Sequence, residues 1–427
     1  MIASKDPSGG RHPIAEGGRG GTRADARSPK SRSILIVAPQ WPHPPTWGFV
    51  MRVYQLAKEL SSRHRVSLLA YGDEHAPRAA GVFEQVRLVP WPVPSQNKRW
   101  AQLTSLGRLG SHHLTGLRSM AMQSALEQMA EREAFDVVQL ESSQMSFLEP
   151  VPGTCTVLDE HNIEYTLLRR LAAIESEPVR RAFGLVESLK ARRDETAAWR
   201  KSSGCVFTSD VDLRQMLQAS PSTPACVVPN GVDLEYFRPT SASPGEDLIV
   251  YTGSINYRPN ADAVAYFIRE ILPKIRRARP GARLLVVGRG APDWLTRLAS
   301  EHVEFTGAVP DVRPYLARAA VAVAPIRIGS GTRIKILEAM AMARPVVTTR
   351  VGCEGLNVAD QQHVLMADDA DAFAECTVRL LSDRRRSAEL GRAGRDLAER
   401  EFGWASAADR LERFHARLVQ DKEIKSG

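Results

Sequence analysis

The chain has 427 residues, enough for two or three domains that each bury a hydrophobic core. No run reaches the ~18 apolar residues of a membrane-spanning helix, and the composition is that of an ordinary soluble globular protein. The formal net charge of +8 fits anionic partners such as nucleotide sugars, anionic lipids or nucleic acid, although solvated arginine-rich faces are the simpler main cause.

Cysteine usage indicates a reducing compartment. The five cysteines are an odd number, widely spaced, and lack the ligand spacing of a zinc site. The N-terminus has no apolar signal segment, so we expect a cytoplasmic protein. The predicted reduced core thiols are Cys155, Cys205, Cys226, Cys353 and Cys376.

The first 230 residues read as a tail followed by an alternation of strands and helices. Residues 1–32 are rich in Gly, Ser, Arg and Pro without periodicity, and they are predicted to be a disordered tail. From 33 to 230, short apolar runs alternate with helical patterns, which predicts a parallel α/β domain. Its strands are predicted at 33–38, 66–70, 86–89, 137–140, 156–158 and 205–208, and its helices at 46–62, 117–133 and 179–201.

Polar residues follow two of these strands, where a doubly wound sheet presents functional groups. Gly48 lies after the first strand, with Arg52 one helical turn later, although a glycine that merely starts a helix explains Gly48 equally well. His161 and Asn162 follow the strand at 156–158. His161 can donate a hydrogen bond or a proton near neutral pH, but a satisfied structural role is the better interpretation of an isolated histidine.

Asp210 and Asp212 look like a metal-binding Asp-x-Asp motif. Ser209 precedes them directly after a strand, however, and acidic residues in a first helical turn are ordinary caps. We interpret the pair as part of a helix cap and predict no metal site.

A second alternation begins after Pro229-Asn230-Gly231 and predicts another doubly wound domain at 231–402, with a final helix at 403–427. Such sheets bind ligands at the carboxyl ends of their strands, so two of them that face each other form a cleft. The strands are predicted at 248–251, 283–287, 303–305, 321–324, 346–349 and 364–366, and the helices at 261–277, 311–319, 334–343, 371–381, 384–400 and about 404–418.

The stretch 328–356 carries the strongest chemical signal. Its Gly-Ser-Gly-Thr turn at 329–332 precedes an apolar helix, and the free N–H groups at such a helix start favour phosphate. Glu338 is a lone carboxylate on this helix and needs hydrogen-bond donors if buried. Sugar hydroxyls are suitable donors, and a salt bridge with Lys335 is the structural alternative.

This stretch resembles the donor-site signature of the retaining glycosyltransferases of family four, through LEAMAMARPVV and VGCEGL. Further similar motifs are DEHNIEY from 159, PNGVDLEYF from 229 and YTGSINYRPNADAV from 251. The family usually has two glutamates separated by seven residues. Here Glu338 is the second, and Ser330 holds the first position. The resemblance implies a GT-B fold, in which two Rossmann-like domains face a cleft and the last helix crosses back to the first domain.

The resemblance also assigns site residues. In the family an arginine and a lysine after the first strand of the second domain stabilise the diphosphate, but Ser254 and Asn260 stand there in this chain. We therefore expect Arg333 and Lys335 to supply that charge. His161 is expected to contact sugar or acceptor and to be catalytic, and Gly48, Arg52 and Asn162 to form the acceptor or phosphate loop. The expected donor-binding residues are Gly253, Ser254, Arg258, Gly288, Thr306, Gly307, Ser330, Gly331, Thr332 and Glu338.

The expected function is metal-independent transfer of a hexose, with retention, from a nucleoside diphosphate sugar to a glycan or lipid-linked acceptor. The nucleotide sugar is a co-substrate, no cofactor is expected, and nucleic acid is not an expected partner. An arginine-rich helical surface between 169 and 201 could also contact the inner membrane surface. The alternatives are another enzyme of this fold, such as an epimerase or a phosphorylase, and a nucleotide-sugar-binding scaffold without turnover.

Overall fold

Two all-parallel sheets organise the chain. The computed structural model describes residues 31–73, 81–92, 105, 107, 110–240, 244–329 and 331–426, and the chain from Arg32 onward forms one compact unit. Its described strands form a seven-stranded and a six-stranded sheet. The predicted α/β class with two doubly wound domains is therefore confirmed. The predicted tail at 1–32 lies outside the described residues except for its last two positions.

The first domain is built on the sheet β3-β2-β1-β4-β5-β6-β7. Ile34 of β1 pairs with Val66 of β2 on one side and with Val137 of β4 on the other. The strand order therefore reverses between β1 and β4, and this topological switch point is where such sheets bind ligands. Ile34 and Ile36 enter the core on one face of the sheet, and Leu35 enters the core on the other. The elements are β1 Ser33–Ala38, α1 Gly48–Ser61, β2 Arg65–Tyr71, β3 Gln85–Val89, α2 His112–Thr115, α3 Met120–Arg132, β4 Val137–Glu141, a 3-10 turn Ser143–Met145, β5 Cys155–Glu160, α4 Glu164–Ala173, α5 Pro178–Lys201, β6 Gly204–Phe207, α6 Asp210–Ala219 and β7 Ala225–Val227.

The second domain repeats the plan with the order β10-β9-β8-β11-β12-β13, whose switch point lies between β8 and β11. Its apolar strands and helices share one hydrophobic core. The elements are β8 Leu248–Thr252, α7 Arg258–Tyr266, a π-helical turn Phe267–Ile271, α8 Leu272–Ala278, β9 Arg283–Val287, α9 Asp293–Thr296, β10 Val303–Gly307, α10 Arg313–Arg318, β11 Val321–Ala324, α11 Ile334–Ala341, β12 Val346–Thr348, β13 Leu365–Met366, α12 Ala370–Ser382, α13 Arg384–Glu401 and α14 Trp404–Ser426.

Two helices differ from their predicted bounds for identifiable reasons. The single helix predicted at 261–277 is divided, because Pro273 cannot donate a backbone hydrogen bond and a π-helical turn precedes it. The helix predicted at 334–343 ends at Ala341, because Ala343 adopts a φ of +53° and Pro345 follows.

The last helix, α14, returns to the first domain. Its apolar side chains, including Phe414, share a core with β1 and α1. Phe414 lies so close to Gly204 of β6 that a Cβ at Gly204 would be 2.7 Å from its ring. Arg63 after α1 forms an ion pair with Asp409 at 2.7 Å. The chain therefore starts its first sheet and ends its last helix in the same domain.

The five cysteines are free thiols, three of them buried. Among the helices of the described residues, none combines the length and the apolar character that crossing a lipid bilayer requires.

Candidate active site

A buried arginine links the first sheet to the crossing, the segment 228–231 in which the chain passes from the first domain to the second. Arg52 of α1 is fully buried and donates two hydrogen bonds to Asp159 at the end of β5, at 3.1 and 3.0 Å. Its Nη1 also donates to the Val228 carbonyl at 2.9 Å and to Asn230 Oδ1 at 3.1 Å. The Asn230 amide in turn donates to the Thr332 carbonyl at 3.4 Å. These contacts support a structural role for Arg52 as the anchor of the crossing.

His161 lies between a carboxyl group and an aromatic ring. Its Nε2 is 2.7 Å from Glu141 Oε2, and Gln139 donates to the other oxygen of Glu141 at 2.7 Å. Phe49 stacks on the imidazole with ring centroids 4.3 Å apart. Burial is the main cause that lowers the pKa of His161 to about 4 and raises the pKa of Glu141 to about 7. The imidazole is therefore neutral near pH 7 and suits hydrogen bonding to a hydroxyl group.

Glu141, Asp159 and His161 form a cluster with metal-ligand character, in which one potential ligand atom of each lies within 4.8 Å of the others. Both Asp159 oxygens already accept hydrogen bonds from Arg52, and Glu141 is paired with His161 and Gln139. The Arg52 guanidinium thus supplies positive charge to Asp159. We interpret the cluster as a hydrogen-bonded network, and the metal-free site remains a prediction.

Asp210 and Asp212 belong to a helix cap. Ser209 Oγ accepts a hydrogen bond from the Asp212 N–H at 3.1 Å and donates to Asp212 Oδ2 at 2.8 Å. Both aspartates lie in the first turn of α6, which confirms the capping interpretation.

The ammonium group of Lys335 reaches the loop after β8, where the sequence itself lacks the expected lysine. Lys335 Nζ donates to Tyr251 Oη at 2.7 Å and to Asn260 Oδ1 at 2.8 Å. It also lies 4.1 Å from the centre of the Tyr251 ring. Gly253 makes room for it, because a Cβ there would be 2.7 Å from Nζ. Lys335 therefore belongs to α11 but places its charge beside Asn260.

Glu338 does not form the salt bridge with Lys335 that their spacing allows. Lys335 points instead to Tyr251, and within the described part of the chain no hydrogen bond or ion pair engages the Glu338 carboxylate. Burial raises the pKa of Glu338 to about 7, while Lys335 opposes the shift. Since the side chain remains partly exposed, its two oxygens can accept hydrogen bonds from neighbouring hydroxyl groups of a ligand.

The glycine turn before α11 touches the first domain. Gly331 has a φ of +72°, and a Cβ there would overlap the His161 carbonyl and lie 2.8 Å from Asn162 Oδ1. Gly48 approaches the same helix, with Ile334 Cδ1 3.8 Å from its Cβ position. The predicted sugar-facing residue Ser330 lies outside the described residues. The two domains therefore meet at the predicted phosphate turn.

The carboxyl ends of β9 and β10 hold the other glycines predicted to bind the donor. Gly288 packs against the Gly253 carbonyl so closely that no Cβ would fit, and Gly307 has a φ of +69°. Thr306 donates its hydroxyl to the Gly307 carbonyl at 3.0 Å. Ser254 contributes its carbonyl, which accepts a hydrogen bond from Asn260 at 2.8 Å. These residues lie at the carboxyl ends of adjacent parallel strands and so share one edge of the second sheet.

Arg258 is engaged away from the phosphate turn. Its Nη2 forms an ion pair with Glu175 of the first domain at 2.7 Å. This contact leaves Lys335 as the cation that lies beside Asn260.

Sequence reasoning missed three residues of this region. Glu141 ends β4 next to the switch point, so its position after an apolar run was a usable signal. Tyr251 is an ordinary strand residue in the sequence, and Arg170 is one arginine among many on a helical surface. Only the packed structure distinguishes these two.

We expect Gly331→Ala to open the domains. The new methyl group must move the His161 carbonyl, and the alanine must also adopt a positive φ. Small-angle scattering should show a larger radius of gyration than for the wild type. Gly153→Ala is the matched control, because Gly153 has a φ of +82° with nothing within 4 Å of its Cβ position. Equal radii for both variants would contradict the assigned contact.

Two family models match this chain. A model described as "Glycosyl transferase 4-like domain" matches residues 48–231, and one described as "Glycosyl transferases group 1" matches residues 246–383. Together they span the second sheet, the turn before α11 and every strand of the first sheet after β1.

Curated relatives match about half of the chain. The GDP-mannose-dependent monoacylated alpha-(1-6)-phosphatidylinositol monomannoside mannosyltransferase of Corynebacterium glutamicum is 30% identical over 230 residues, and the match covers 48% of this chain and 60% of that protein. The D-inositol 3-phosphate glycosyltransferase of Segniliparus rotundus is 31% identical over 207 residues, and the match covers 43% of this chain and 45% of that protein. The matches thus span only part of each relative.

Solved structures match most of the chain. Sucrose-phosphate synthase from Thermosynechococcus elongatus superposes with a TM-score of 0.72 at 18% identity, covering 91% of this chain and all of that one. HepE of Anabaena, in complex with UDP and glucose, superposes with a TM-score of 0.63 at 15% identity, covering 90% of this chain and 98% of that one. At these identities the likeness establishes the two-domain fold.

Proposed function

This chain belongs to the glycosyl transferases group 1, the retaining glycosyltransferases of family four with the GT-B fold, and from that premise we propose that it transfers a hexose from a nucleoside diphosphate sugar to a glycan or lipid-linked acceptor. One observation carries the proposal. The turn before α11 leads to a half-buried cation, Lys335, and an unengaged carboxylate, Glu338, one helical turn apart. The cation suits the diphosphate of a nucleoside diphosphate, and the carboxylate suits the hydroxyl groups of its ribose.

Each domain has its own substrate in this proposal. Residues 33–230 bind the acceptor, residues 231–402 bind the donor, and 403–427 form the helix that completes the first domain. The α11 turn with Arg333 and Lys335 binds the diphosphate, and Glu338 binds the ribose. Ser330 faces the transferred sugar, and His161 and Asn162 face the sugar or the acceptor. The nucleobase lies against the loops of Gly288, Thr306 and Gly307.

The reaction proceeds on one face of the sugar. The bond from the anomeric carbon to the diphosphate oxygen breaks, and the acceptor oxygen forms its bond to the same carbon on the face that the diphosphate leaves. The acceptor proton passes to the departing diphosphate. Lys335 and Arg333 stabilise the negative charge that develops there, and this electrostatic term is the main contribution of the protein. With two cations in that position the proposed reaction needs neither a metal ion nor a cofactor.

Relatives with lipid-linked acceptors favour a site of action at a membrane surface. The Corynebacterium relative is named for a phosphatidylinositol mannoside, and this chain has an exposed apolar stripe on α5 of the first domain. Val179 and Leu189 are 74% and 68% exposed, and exposed arginines such as Arg181 and Arg192 flank them. Apolar side chains beside arginines suit insertion into an anionic leaflet. Together with the free thiols, this supports a cytoplasmic enzyme that contacts the inner membrane surface.

We expect the protein to sediment with vesicles that contain phosphatidylglycerol, and a Val179→Ser/Leu189→Ser variant to sediment several-fold less. The serines remove most of the apolar area available for insertion. Leu217→Ser is the control, because Leu217 lies on another helix and is 39% exposed. Equal sedimentation of all three proteins would count against the membrane contact.

The donor is identified by a thermal-shift panel of nucleoside diphosphate sugars that includes GDP-mannose and UDP-glucose. A donor present at 100 times its Kd stabilises the folded state by about 2.7 kcal/mol, so the preferred base and sugar give the largest shift. Release of labelled sugar that depends on an acceptor then distinguishes a transferase from an epimerase or from a scaffold. The absence of any shift across the panel would reject the donor assignment.

We expect Glu338→Gln to weaken donor binding by about 1.5 to 3 kcal/mol, the range for hydrogen bonds to a charged group. Isothermal titration with the preferred donor measures this loss. Glu304→Gln is a control on the exposed edge of β10. Unchanged affinity in a folded Glu338→Gln protein would remove the ribose assignment.

A further inference from the structure

An arginine of the first domain holds the donor turn of the second. Arg170 lies on α4, and its two terminal nitrogens donate to the two oxygens of Glu354 at 2.6 and 2.9 Å. The same Nη1 also donates to the carbonyl of Gly329, which opens the glycine turn before α11. Glu354 fixes the plane of the guanidinium through the paired contact.

The contact with Arg170 changes the direction of the Gly329 carbonyl dipole that an anion at the turn would meet. A carbonyl oxygen directed at the diphosphate would repel it, whereas this oxygen is directed at a guanidinium. The side chain of Arg333 also packs against Gly329, where a Cβ would overlap its guanidinium. Gly329 thus contacts two arginines, one from each domain. The turn continues to Gly331, which rests on the His161 carbonyl.

We propose that Arg170 is a positioning residue that shapes the donor-phosphate turn only when the two domains are closed. This inference rests on the proposed transferase function. Arg170 lies in the first domain, while Gly329 and Glu354 lie in the second. The contacts between them therefore exist only when the two domains are closed, as they are in this structure. A donor can bind the second domain of an open enzyme without Arg170. Transfer needs the closed enzyme with the turn in place.

Replacing Arg170 should therefore lower kcat much more than it weakens donor binding. We expect Arg170→Ala to lower kcat by roughly 10- to 100-fold, the scale of a lost hydrogen bond to a charged group, with the donor Kd changed by less than about threefold. Arg170→Lys should recover part of kcat, because a lysine keeps the charge but not the paired geometry. Arg169→Ala is the matched control, since Arg169 is the exposed neighbour on the same helix. It should behave as the wild type.

Exchanging the charges of Arg170 and Glu354 distinguishes two roles for Arg170, which are positioning the Gly329 turn and only holding the two domains together. Arg170→Glu/Glu354→Arg restores the ion pair but places a carboxylate against the Gly329 carbonyl. We expect this double variant to have the wild-type radius of gyration in small-angle scattering but a lowered kcat. Full recovery of kcat would overturn the proposal, and so would an Arg170→Ala protein that matches Arg169→Ala.

Hydrogen exchange of the peptide that spans 327–334 gives a readout without turnover. Exchange there should be faster in Arg170→Ala than in Arg169→Ala, and equal rates would contradict the proposal. Transfer by the wild type is measured first. If it failed while exchange still differed, the proposed function would be wrong and the role of Arg170 in ordering the turn would stand.

Discussion

Replacing Arg52 with methionine should lower the free energy of unfolding by about 3 to 5 kcal/mol, the cost of leaving one partner of a buried ion pair alone. Arg52 and Asp159 have 0% exposure, and Arg52 also holds the Val228 carbonyl and Asn230 of the crossing. Urea unfolding measures the loss. Lys58→Met is the control, because Lys58 is exposed on the same helix and should cost less than about 0.5 kcal/mol.

The loss should depend on pH. Burial already raises the pKa of Asp159, with Arg52 opposing the shift, so removing Arg52 raises it further. A carboxyl with a folded pKa above its unfolded pKa binds more protons when folded, and its stability contribution falls as pH rises. The deficit of Arg52→Met should therefore grow from about pH 4 towards neutral pH. An Arg52→Met/Asp159→Asn protein should be more stable than Arg52→Met alone at pH 7. A pH-independent deficit would show that Asp159 is not the cause.

Removing the two cations proposed to bind the diphosphate, Arg333 and Lys335, should have the largest effect on turnover. We expect Arg333→Ala and Lys335→Met each to lower kcat by roughly 10²- to 10³-fold, as when one transition-state donor is lost. The reason for Lys335 is its place beside Asn260 and Gly253, where its ammonium faces the loop after β8. Arg258→Ala should cost less, because Arg258 pairs with Glu175. If both cation variants kept near-normal turnover while Arg258→Ala abolished it, the charge would reside in the loop after β8.

Donor affinity should also report the titration of Lys335. Burial, followed by the charge of Arg333, lowers the pKa of Lys335 to about 7, so the free enzyme loses this charge as pH rises through neutrality. Binding of a diphosphate restores the proton, and affinity should fall above pH 7 by up to about tenfold per pH unit. Glu338 titrates in the same range, so the slope is compared with that of Lys335→Met. Identical slopes would exclude Lys335 as the titrating group.

Local sequence pattern predicted the framework well. Strand β1 has the predicted bounds, because a wholly buried parallel strand is a short apolar run with polar flanks. Strand β7 was not predicted, since its three residues are only half-buried at the sheet edge and carry a weak pattern. The interruption of the helix before Pro273 had a visible cause in the sequence and could have been predicted.

The candidate site was less accessible to sequence reasoning, because long-range packing decides it. Spacing along α11 suggested a salt bridge between Lys335 and Glu338, whereas the ammonium contacts Tyr251, 84 positions away. Arg169 and Arg170 are adjacent and identical in type, yet only Arg170 reaches Gly329 and Glu354. The resemblance supplied the candidate residues, and the tertiary contacts decided which of them have partners.

The most direct test of the proposed transfer is the anomeric configuration of the first product. The preferred α-linked donor and an acceptor are incubated with the enzyme, and the one-bond coupling between the anomeric carbon and its proton in the new glycosidic bond is measured by NMR. We predict an α-linked product that appears only when acceptor is present, together with one nucleoside diphosphate per bond formed. A β-linked product would contradict retention. Free sugar as the sole product, at a rate that acceptor does not change, would contradict transfer.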